Sequence, residues 1–313
     1  MACWSCTPHQ GNERGGWHQG TADALWRNAP MIREFGPEAL VVVSADAVYK
    51  LDYRDVVQGH LASQASVTMV TTKVAKEDAG RYGVVQVSDE GAITDYAYKP
   101  EEPASDLVTN EVFVFTPDRA LDLLDELAEE VDQDEGLEDL GDHLLPKLVA
   151  AGEAREHRFE GYWRDVGTVP AYWEAHMDLL ATQPPIDLDE PGWRIQTQGG
   201  RSAAAGIGND AEVANSLLSP GCHIYGSVRG SVVSPDVQIE AGASVRDSVV
   251  LHGVIVRSGA VVERAILDQR VEIGAEARVG GDGDIALVGG ETTLPKGTVV
   301  APGGRYPESE KSA

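Results

Sequence analysis

The last third of the chain repeats a short pattern at a fixed interval. One set of aliphatic segments, each ending in a small or polar turn, begins at positions 237, 254 and 271, and a second set begins at positions 231, 248 and 265. A short fixed period of this kind predicts a solenoid, in which each repeat stacks on its neighbours. The first set is Val237–Gly242, Val254–Gly259 and Val271–Glu276, and the second set is Ser231–Val233, Ser248–Val250 and Ala265–Leu267.

The spacing within one repeat favours a particular solenoid. An aliphatic residue recurs about every six positions, so one repeat makes one three-faced coil of a left-handed parallel β-helix. A slightly shorter coil begins at Pro220–Ile224, which matches Pro235–Ile239 and precedes it by a little less than the regular interval. We therefore predict a β-helix domain of about four to five coils at residues 211–302, followed by a disordered tail at 303–313.

Residues 1–181 have a different texture, in which apolar runs alternate with amphipathic stretches, as is typical of an α/β sheet domain. Ala39–Ser44 is a continuous apolar run and predicts a strand buried on both faces. Residues 182–210 are rich in Pro, Gly, Gln and Ala and are predicted to form a linker. We predict further strands at 66–74, 82–87, 92–98 and 111–115, and helices at 55–63, 118–131, 143–151 and 169–181.

The charge of the chain excludes some classes of partner. The formal net charge is −26, from 51 acidic and 25 basic residues, whereas nucleic acids and anionic membranes are bound through basic surfaces. The apolar run Leu40–Val43 is far shorter than the roughly 20 residues of a membrane span, and no Lys or Arg precedes Arg14 to make a signal peptide. We expect a cytoplasmic protein without a nucleic-acid or membrane partner.

The three cysteines cannot form a disulfide framework, which agrees with a reducing compartment. Cys3, Cys6 and His9 have spacings that suggest a metal site or a redox pair. A redox pair needs a preceding strand, and a structural zinc needs a fourth ligand, for which only His18 is near. We interpret this segment as a frayed terminus.

Two aspartates and one lysine are candidates for chemistry at the ends of predicted strands. Asp46 follows a buried strand at its carboxyl end, where open α/β sheets bind ligands, so it is either a Mg²⁺ ligand or a cap of the next turn. Asp165 presents the same choice, with a contact to Arg164 as the structural alternative. Lys99, which precedes Pro100, either reaches a phosphate or is merely solvated.

The segment that begins at Gly20 resembles the start of a helix, with Thr21 or Asp23 as its cap. Most such segments are only helix starts. The functional alternative is that its exposed N–H groups and its glycine approach a nucleotide.

Five motifs follow one another along the chain in a fixed order. Together with the β-helix they resemble the glucose-1-phosphate adenylyltransferases, which are sugar-1-phosphate nucleotidyltransferases, from about Gly16 to Val300. The resemblance implies a Rossmann-like mixed sheet domain of the nucleotidyltransferase kind, followed by a left-handed β-helix. The motifs are Gly20–Ala24, Ser44–Tyr53, Tyr82–Val85, Tyr98–Pro100 and Tyr162–Thr168.

The resemblance also implies a reaction, in which the phosphate of α-D-glucose 1-phosphate attacks the α-phosphorus of ATP to give ADP-glucose and pyrophosphate for glycogen or α-glucan synthesis. It implies Mg²⁺ as cofactor and a homotetramer. Its implied site consists of Gly20 and Thr21 against the nucleotide, Asp46 and Asp165 on Mg²⁺, Gly83 and Lys99 on the sugar phosphate, Thr109 on the sugar, and Arg164 beside the substrates.

Several positions depart from the family pattern. His18 replaces a tyrosine, Ala47 replaces a histidine, Tyr98 replaces an acidic residue, and Asn110 and Glu111 stand where the family has a Met-Gly-like pair. The Gly-rich G-x-G-x-R loop of the family does not occur in the sequence. We expect it in a first βα unit upstream of residue 1, which makes residues 1–181 an N-terminally truncated domain, and we expect no pyrophosphorylase activity from the chain as printed.

Three other functions remain open from the sequence. The first is a related enzyme with other substrates, such as mannose-1-phosphate guanylyltransferase. The second is a non-catalytic paralogue or fragment that regulates or assembles other subunits. The third is a hexapeptide acyltransferase with His223 or His252 as its base, which the short β-helix disfavours.

Overall fold

The computed structural model describes residues 18–131, 136–193, 195 and 202–307. Cys3, Cys6 and His9, the candidate metal or redox cluster, lie outside these residues. The chain divides into two compact units, Met1–Trp163 and Arg164–Ala313.

The first unit alternates helices with strands, as the sequence predicts. Its helices are α1 (Thr21–Arg27), α2 (Ala29–Phe35), α3 (Tyr53–Ser63), α4 (Pro117–Glu130) and α5 (Leu144–Ala150), with a 3₁₀ turn at Ala79–Arg81. Its strands are β1 (Leu40–Val43), β2 (Ala47–Tyr49), β3 (Val67–Lys73), β4 (Gly83–Val87), β5 (Ile93–Tyr98), β6 (Leu107–Phe115) and β7 (Ala154–Arg158).

Six of these strands, all except β2, form a mixed sheet, which confirms the predicted fold class. The strand order is β5-β4-β6-β3-β7, and β1 pairs with β6. The β6 strand is antiparallel to β1, β3 and β4, whereas β3 and β7 are parallel. It begins at Leu107 rather than at the predicted residue 111, because its first four residues are buried and pair with β3 and β4.

The prediction that Ala39–Ser44 forms a strand buried on both faces is wrong. Alternate residues of β1 are exposed, with Val41 at 37% and Val43 at 46%. Within the described part of the chain β1 pairs only with β6, so it lies at an edge of the described sheet.

Local sequence signals set the helix ends. Pro117 occupies the first turn of α4, and the α4 leucines, including Leu121, Leu124 and Leu127, are buried while most of its acidic residues face water. The α3 helix starts at a cap in which Asp52 accepts a hydrogen bond from the backbone N–H of Arg54. None of the helices in the described ranges has the length and apolar composition of a membrane span.

The second unit contains β8, which starts at the boundary (Trp163–Asp165), α6 (Val169–Asp178) and a parallel β-helix. One sheet of the β-helix contains β9 (Gly206–Ile207), β12 (His223–Ile224), β15 (Gln238–Ile239), β18 (Ile255–Val256), β21 (Glu272–Ile273) and β24 (Thr293–Leu294). The second contains β10 (Glu212–Ala214), β13 (Ser227–Arg229), β16 (Ser244–Arg246), β19 (Val261–Glu263), β22 (Arg278–Gly280) and β25 (Val299–Val300). The third contains β11 (Leu217–Leu218), β14 (Val232–Val233), β17 (Val249–Val250), β20 (Ala265–Leu267), β23 (Ala286–Val288) and β26 (Arg305–Tyr306).

Equivalent aliphatic side chains of successive coils stack inside the β-helix. Ile224, Ile239, Val256 and Ile273 are each 0% exposed, and they follow one another in parallel register. Backbone N–H groups of one coil donate to carbonyl groups of the next, as from His223 to Val237 at 2.8 Å. The repeat in the sequence therefore becomes a continuous core with hydrogen bonds between the coils.

Each sheet has six strands, so the β-helix is longer than the four to five coils predicted. The first coil has Leu217–Leu218 in register with Val232–Val233, but Gly206 stands where the next coil has His223. The last coil is displaced, because the step from Glu272 to its partner Thr293 is longer than the step from Ile255 to Glu272. The predicted disordered tail also differs from the structure, since Tyr306 lies in β26 and packs against the core. Residues 308–313 lie outside the described ranges.

Helix α6 belongs to the second unit, although the sequence groups it with residues 1–181. The reason is an apolar contact between α6 and the outer face of the third β-helix sheet. The residues in this contact are Val169, Tyr172, Trp173 and Met177 from α6, and Val249, Leu251, Ile266, Ile285 and Leu287 from the β-helix.

Buried His60 in α3 makes folding stability depend on pH. It is 2% exposed, and its ring nitrogens lie 2.9 Å from the hydroxyl of Thr68 and 3.3 Å from that of Thr116. Burial lowers the pKa of His60 below its ordinary 6.5. The unfolded chain therefore binds a proton more readily, so the stabilisation that neutral His60 gives is complete above about pH 6.5 and is lost as the pH falls through the lowered pKa.

We expect His60→Gln to remove this dependence, because glutamine forms hydrogen bonds but does not titrate. At about pH 8 the urea midpoint of the wild-type protein should be higher than that of the variant. At about pH 5 the difference between the two midpoints should be smaller. His223→Gln, at an exposed position, is the control and should leave the pH profile unchanged. A gap of constant size at both pH values would contradict the assignment.

Candidate functional site

Lys99 is held in an unusual backbone conformation at the end of β5. Its φ is +46°, in the left-handed region that residues other than glycine seldom adopt. Its Nζ lies 4.5 Å from the centre of the Tyr98 ring. That ring packs closely against Gly141, where an added Cβ would lie 2.4 Å from a ring carbon. Tyr98 therefore orients the ammonium group of Lys99.

Asp139 connects the end of β5 to the start of α1. Its carboxylate accepts hydrogen bonds from the Tyr98 hydroxyl at 2.9 Å and from the Thr21 backbone N–H and hydroxyl at 3.1 Å each. Burial alone would raise the pKa of Asp139, but the hydrogen bonds from Thr21 and Tyr98 and the charge of Lys99 outweigh it and keep the pKa below its usual value. Asp139 is therefore ionised at neutral pH.

Gly20 makes a close approach to the loop that carries Asp139. A Cβ at Gly20 would lie 2.2 Å from the backbone carbonyl carbon and oxygen of Glu138, so only glycine fits there. The N–H of Ala22 donates to the Glu138 carbonyl at 3.0 Å, and the N–H of Leu140 donates to the Thr21 hydroxyl at 2.9 Å. These contacts anchor the first turn of α1 on the loop.

Gly83, at the start of β4, faces two hydroxyl groups. A Cβ there would lie 2.7 Å from the hydroxyl oxygen of Tyr96 and 2.8 Å from that of Thr109. Burial raises the pKa of Tyr96 far above its ordinary value, so the phenol is neutral. Thr109 is 1% exposed and Tyr96 is half-buried, so both hydroxyls pack against the backbone of Gly83.

A bulge in β6 brings this region close to Asp46. Glu111 has a φ of +59°, and its carbonyl accepts a hydrogen bond from the Ser44 N–H at 3.0 Å. The Ser44 hydroxyl in turn donates to the exposed carboxylate of Asp46. Neighbouring Asn110 is 0% exposed, with both amide atoms unpaired in the described structure.

The groups around Lys99 raise its pKa. A hydrogen bond to the Tyr98 hydroxyl raises the pKa of Lys99, burial opposes it, and the negative charges of Asp139 and Glu111 add to the rise. Lys99 is therefore cationic at every physiological pH and adjoins two carboxylates.

In the second unit, Asp165 and Arg164 are held by local contacts. The Asp165 carboxylate accepts a hydrogen bond from the Gly167 N–H at 2.7 Å. Arg164, predicted to lie beside the substrates, donates to Glu174 at 2.7 Å and to Asp178 at 3.0 Å, both on α6.

The first unit thus joins Gly20, Thr21 and Lys99 through Asp139, and places Gly83 against Thr109. The sequence did not identify Asp139, because it lies in a loop without a periodic pattern or a recognisable motif.

Among the described residues, no group of three or more His, Cys, Asp or Glu side chains could hold a metal by itself. His223 and His252 are exposed on the β-helix, and His252 lies 3.7 Å from Asp236.

Comparison with known proteins identifies the family. The nucleotidyl transferase family model matches residues 4–182, and the GlmU-like C-terminal hexapeptide model matches residues 201–300. The glucose-1-phosphate adenylyltransferase of Thermomicrobium roseum is 38% identical over 307 residues, which cover 95% of this chain and 71% of that protein. The chain belongs to the glucose-1-phosphate adenylyltransferase family.

Other members of the glucose-1-phosphate adenylyltransferase family support the same assignment. The protein of that name from Corynebacterium jeikeium is 36% identical over 95% of this chain and 78% of its own length. The one from Acetivibrio thermocellus is 32% identical over 93% of this chain and 71% of its own length. The similarity therefore extends over both units.

We expect Gly20→Ala to destabilise the first unit, because the new methyl group would collide with the Glu138 backbone. Overpacking of this kind costs about 1–3 kcal/mol, which a urea titration detects. Gly59→Ala is the matched control, since a Cβ inside α3 meets nothing within 4 Å. It should be neutral or stabilising by up to about 1 kcal/mol. Equal stability of Gly20→Ala and wild type would refute the close approach.

Proposed function

We propose that the protein transfers the adenylyl group of ATP to α-D-glucose 1-phosphate, forming ADP-glucose and pyrophosphate for the synthesis of glycogen or another α-glucan. The observation that carries the proposal is the convergence of Lys99, Asp139 and Thr21 at one end of the sheet. Family membership supplies the reaction class.

In this proposal the sugar phosphate binds at the ends of β4 and β5. The ammonium group of Lys99 pairs with the phosphate, since its raised pKa keeps it charged. Gly83 contributes to binding of the sugar phosphate and Thr109 to binding of the sugar, at a point where the Tyr96 and Thr109 hydroxyls approach Gly83 too closely for any side chain there. Ionised Asp139 holds Tyr98 in place and offers an acceptor to the sugar.

The nucleotide and Mg²⁺ occupy the neighbouring part of the site in this proposal. Gly20 and Thr21 lie against the nucleotide, and Asp46 and Asp165 hold the metal. Mg²⁺ prefers oxygen ligands and is commonly bound by one or two carboxylates together with substrate phosphates, so two aspartates suffice. Each of them is oriented by a local donor, the Ser44 hydroxyl for Asp46 and the Gly167 N–H for Asp165.

The transfer needs positioning and charge neutralisation rather than a covalent intermediate. An oxygen of the sugar phosphate forms a bond to the α-phosphorus of ATP, while the bond from that phosphorus to the bridging oxygen breaks and pyrophosphate leaves. Lys99 holds the attacking phosphate in line and offsets its charge. Bound Mg²⁺ would neutralise the charge on the triphosphate.

We also propose that the protein acts in the cytoplasm as a homotetramer, as the resemblance implies. The acidic composition, with a net charge of −26, provides no overall basic surface for a nucleic-acid partner. Light scattering after size exclusion would give the number of subunits, and a monomer at micromolar concentration would contradict the assembly.

The proposed reaction is tested by pyrophosphate release from ATP and glucose 1-phosphate with magnesium present. The assay uses the chain as printed and a version extended by the glycine-rich βα unit that the resemblance implies. GTP and mannose 1-phosphate serve as the alternative pair. Preference for that pair, or no release of pyrophosphate from the extended version, would refute the assignment.

We expect Asp46→Asn and Asp165→Asn to lower turnover by more than about a hundredfold in the active form, because each removes charge from the proposed metal site. The melting curves should change little. Asp89→Asn, at an exposed turn between β4 and β5, is the control and should keep full activity. Near-normal turnover of either site variant would remove that aspartate from the proposed site.

We expect Lys99→Ala to weaken the use of glucose 1-phosphate rather than of ATP. A hydrogen bond to a charged group contributes about 1.5–3 kcal/mol, which corresponds to about a ten- to hundredfold rise in KM for the sugar phosphate. Lys76→Ala, at an exposed loop position, is the matched control. A rise in KM for ATP alone would assign Lys99 to the nucleotide instead.

A further inference from the structure

We propose that the β-helix positions Asp165, the last residue of β8, and the loop that follows it, through α6, with Trp173 and Arg164 as positioning residues. The inference rests on the proposed function in that it takes Asp165 as a metal ligand. It assigns Arg164 a role that the family resemblance does not, since its guanidinium is directed at α6 rather than offered to a substrate.

Trp173 fixes α6 to the β-helix. Its indole N–H donates to the backbone carbonyl of Asp247 at 2.8 Å, and the guanidinium carbon of Arg264 lies 4.5 Å from the centre of its ring. Asp247 and Arg264 are equivalent corners of successive coils, because the residues that precede them pair in parallel register and their own φ values are +47° and +48°. One side chain of α6 therefore contacts two adjacent coils.

These corners are themselves held by the solenoid. The N–H of Asp247 donates to the Arg229 carbonyl and the N–H of Arg264 donates to the Arg246 carbonyl, at 3.0 Å each. Such coil-to-coil bonds repeat along the whole β-helix, so its corners form a rigid surface. Trp173 transmits the position of that surface to α6.

Arg164 connects α6 to Asp165, the next residue in the chain. Its guanidinium pairs with Glu174 at 2.7 Å and with Asp178 at 2.9 Å. Glu174 and Asp178 are four residues apart and so lie on the same face of α6. Because Glu174 follows Trp173 directly, the indole contact and the ion pairs act on the same turn of the helix.

The other end of the loop is also tied to α6. The hydroxyl of Thr168 accepts a hydrogen bond from the Ala171 N–H at 3.3 Å and caps the helix. Between its two ends the loop borders a cavity of about 410 Å³, which it lines together with Leu251, Ile266 and Asp268 of the β-helix. One side of the loop therefore borders open space, while its two ends are bonded to α6.

The ion pairs of Arg164 suit a positioning role better than a stabilising one. The side chains of Arg164 and Asp178 are each 31% exposed and that of Glu174 is 51% exposed. Ion pairs this accessible contribute little to global stability. Their loss should therefore displace the loop without unfolding the unit.

Amide hydrogen exchange on the full chain tests the positioning role without a measurement of enzyme activity. Trp173→Ala and Arg164→Gln should raise the exchange rate of residues 162–168 by about tenfold, because local opening becomes easier. Arg257→Gln is the matched control, since Arg257 bridges Glu240 and Glu272 on another face of the β-helix. Unchanged exchange of residues 162–168 in both test variants would overturn the proposal.

A second measurement tests whether the positioning serves the metal. Binding of Mn²⁺ in the presence of ATP, followed by water proton relaxation, should weaken about tenfold in Trp173→Ala and Arg164→Gln and stay unchanged in Arg257→Gln. Arg164→Lys should recover part of the loss, since lysine keeps one of the two ion pairs. Faster loop exchange with unchanged Mn²⁺ affinity would also overturn the proposal.

The two proposals fail in different ways. If the extended version without any substitution binds no Mn²⁺ in the presence of ATP and releases no pyrophosphate, the proposed function is wrong, whatever the exchange rate of residues 162–168. If that version is active and binds Mn²⁺ but the substitutions at Trp173 and Arg164 leave the exchange rate of residues 162–168 unchanged, the proposed function stands and the positioning role is wrong.

Discussion

The pairing of β6 with three neighbours determines most of the first unit. This strand is antiparallel to β1, β3 and β4, and β7 and β5 pair in turn with β3 and β4. The β6 strand bulges at Glu111, where the backbone takes a positive φ. Left-handed conformations cost roughly 1–3 kcal/mol at residues other than glycine and persist only where the surrounding structure enforces them. At Glu111 the hydrogen bond from the Ser44 N–H helps to hold this backbone conformation. The same hydrogen bond places the segment of Asp46 beside the proposed site.

The acidic composition of the chain opposes the binding of negatively charged substrates at the proposed site. A chain with a net charge of −26 repels anions, yet the proposed substrates are both phosphates. Lys99 supplies one fixed cation, but Asp139 and Glu111 adjoin it and offset its charge before any ligand binds. A second positive charge is therefore needed when the triphosphate enters. In the proposed function, a divalent metal held by Asp46 and Asp165 would meet that need.

The sequence predicted the features that depend on regular residue spacing and missed the features that depend on tertiary contacts. The fixed period identified the β-helix because each repeat is one structural coil, and it undercounted the coils where Gly206 and the longer step to Thr293 break the pattern. Lys99 and Asp46 were predicted as site residues because strand ends are recognisable. The contacts of Asp139 were not predicted, since they join it to Thr21 and Tyr98, which are 118 and 41 residues away. The ion pairs of Arg164 were not predicted either, because they depend on how α6 folds back.

The membership of α6 in the second unit changes how the Asp165 loop should be understood. A helix of ten residues is marginal in water by itself, so α6 depends on tertiary packing for its structure. Its apolar face packs on Val249 and Ile266, whose positions are set by the stacking of coils. The loop before α6 is tied to this helix at both ends, by Thr168 and by Arg164. In the proposed positioning role, a change in coil stacking near Arg264 would reach Asp165, a proposed metal ligand, without altering any residue that touches a substrate.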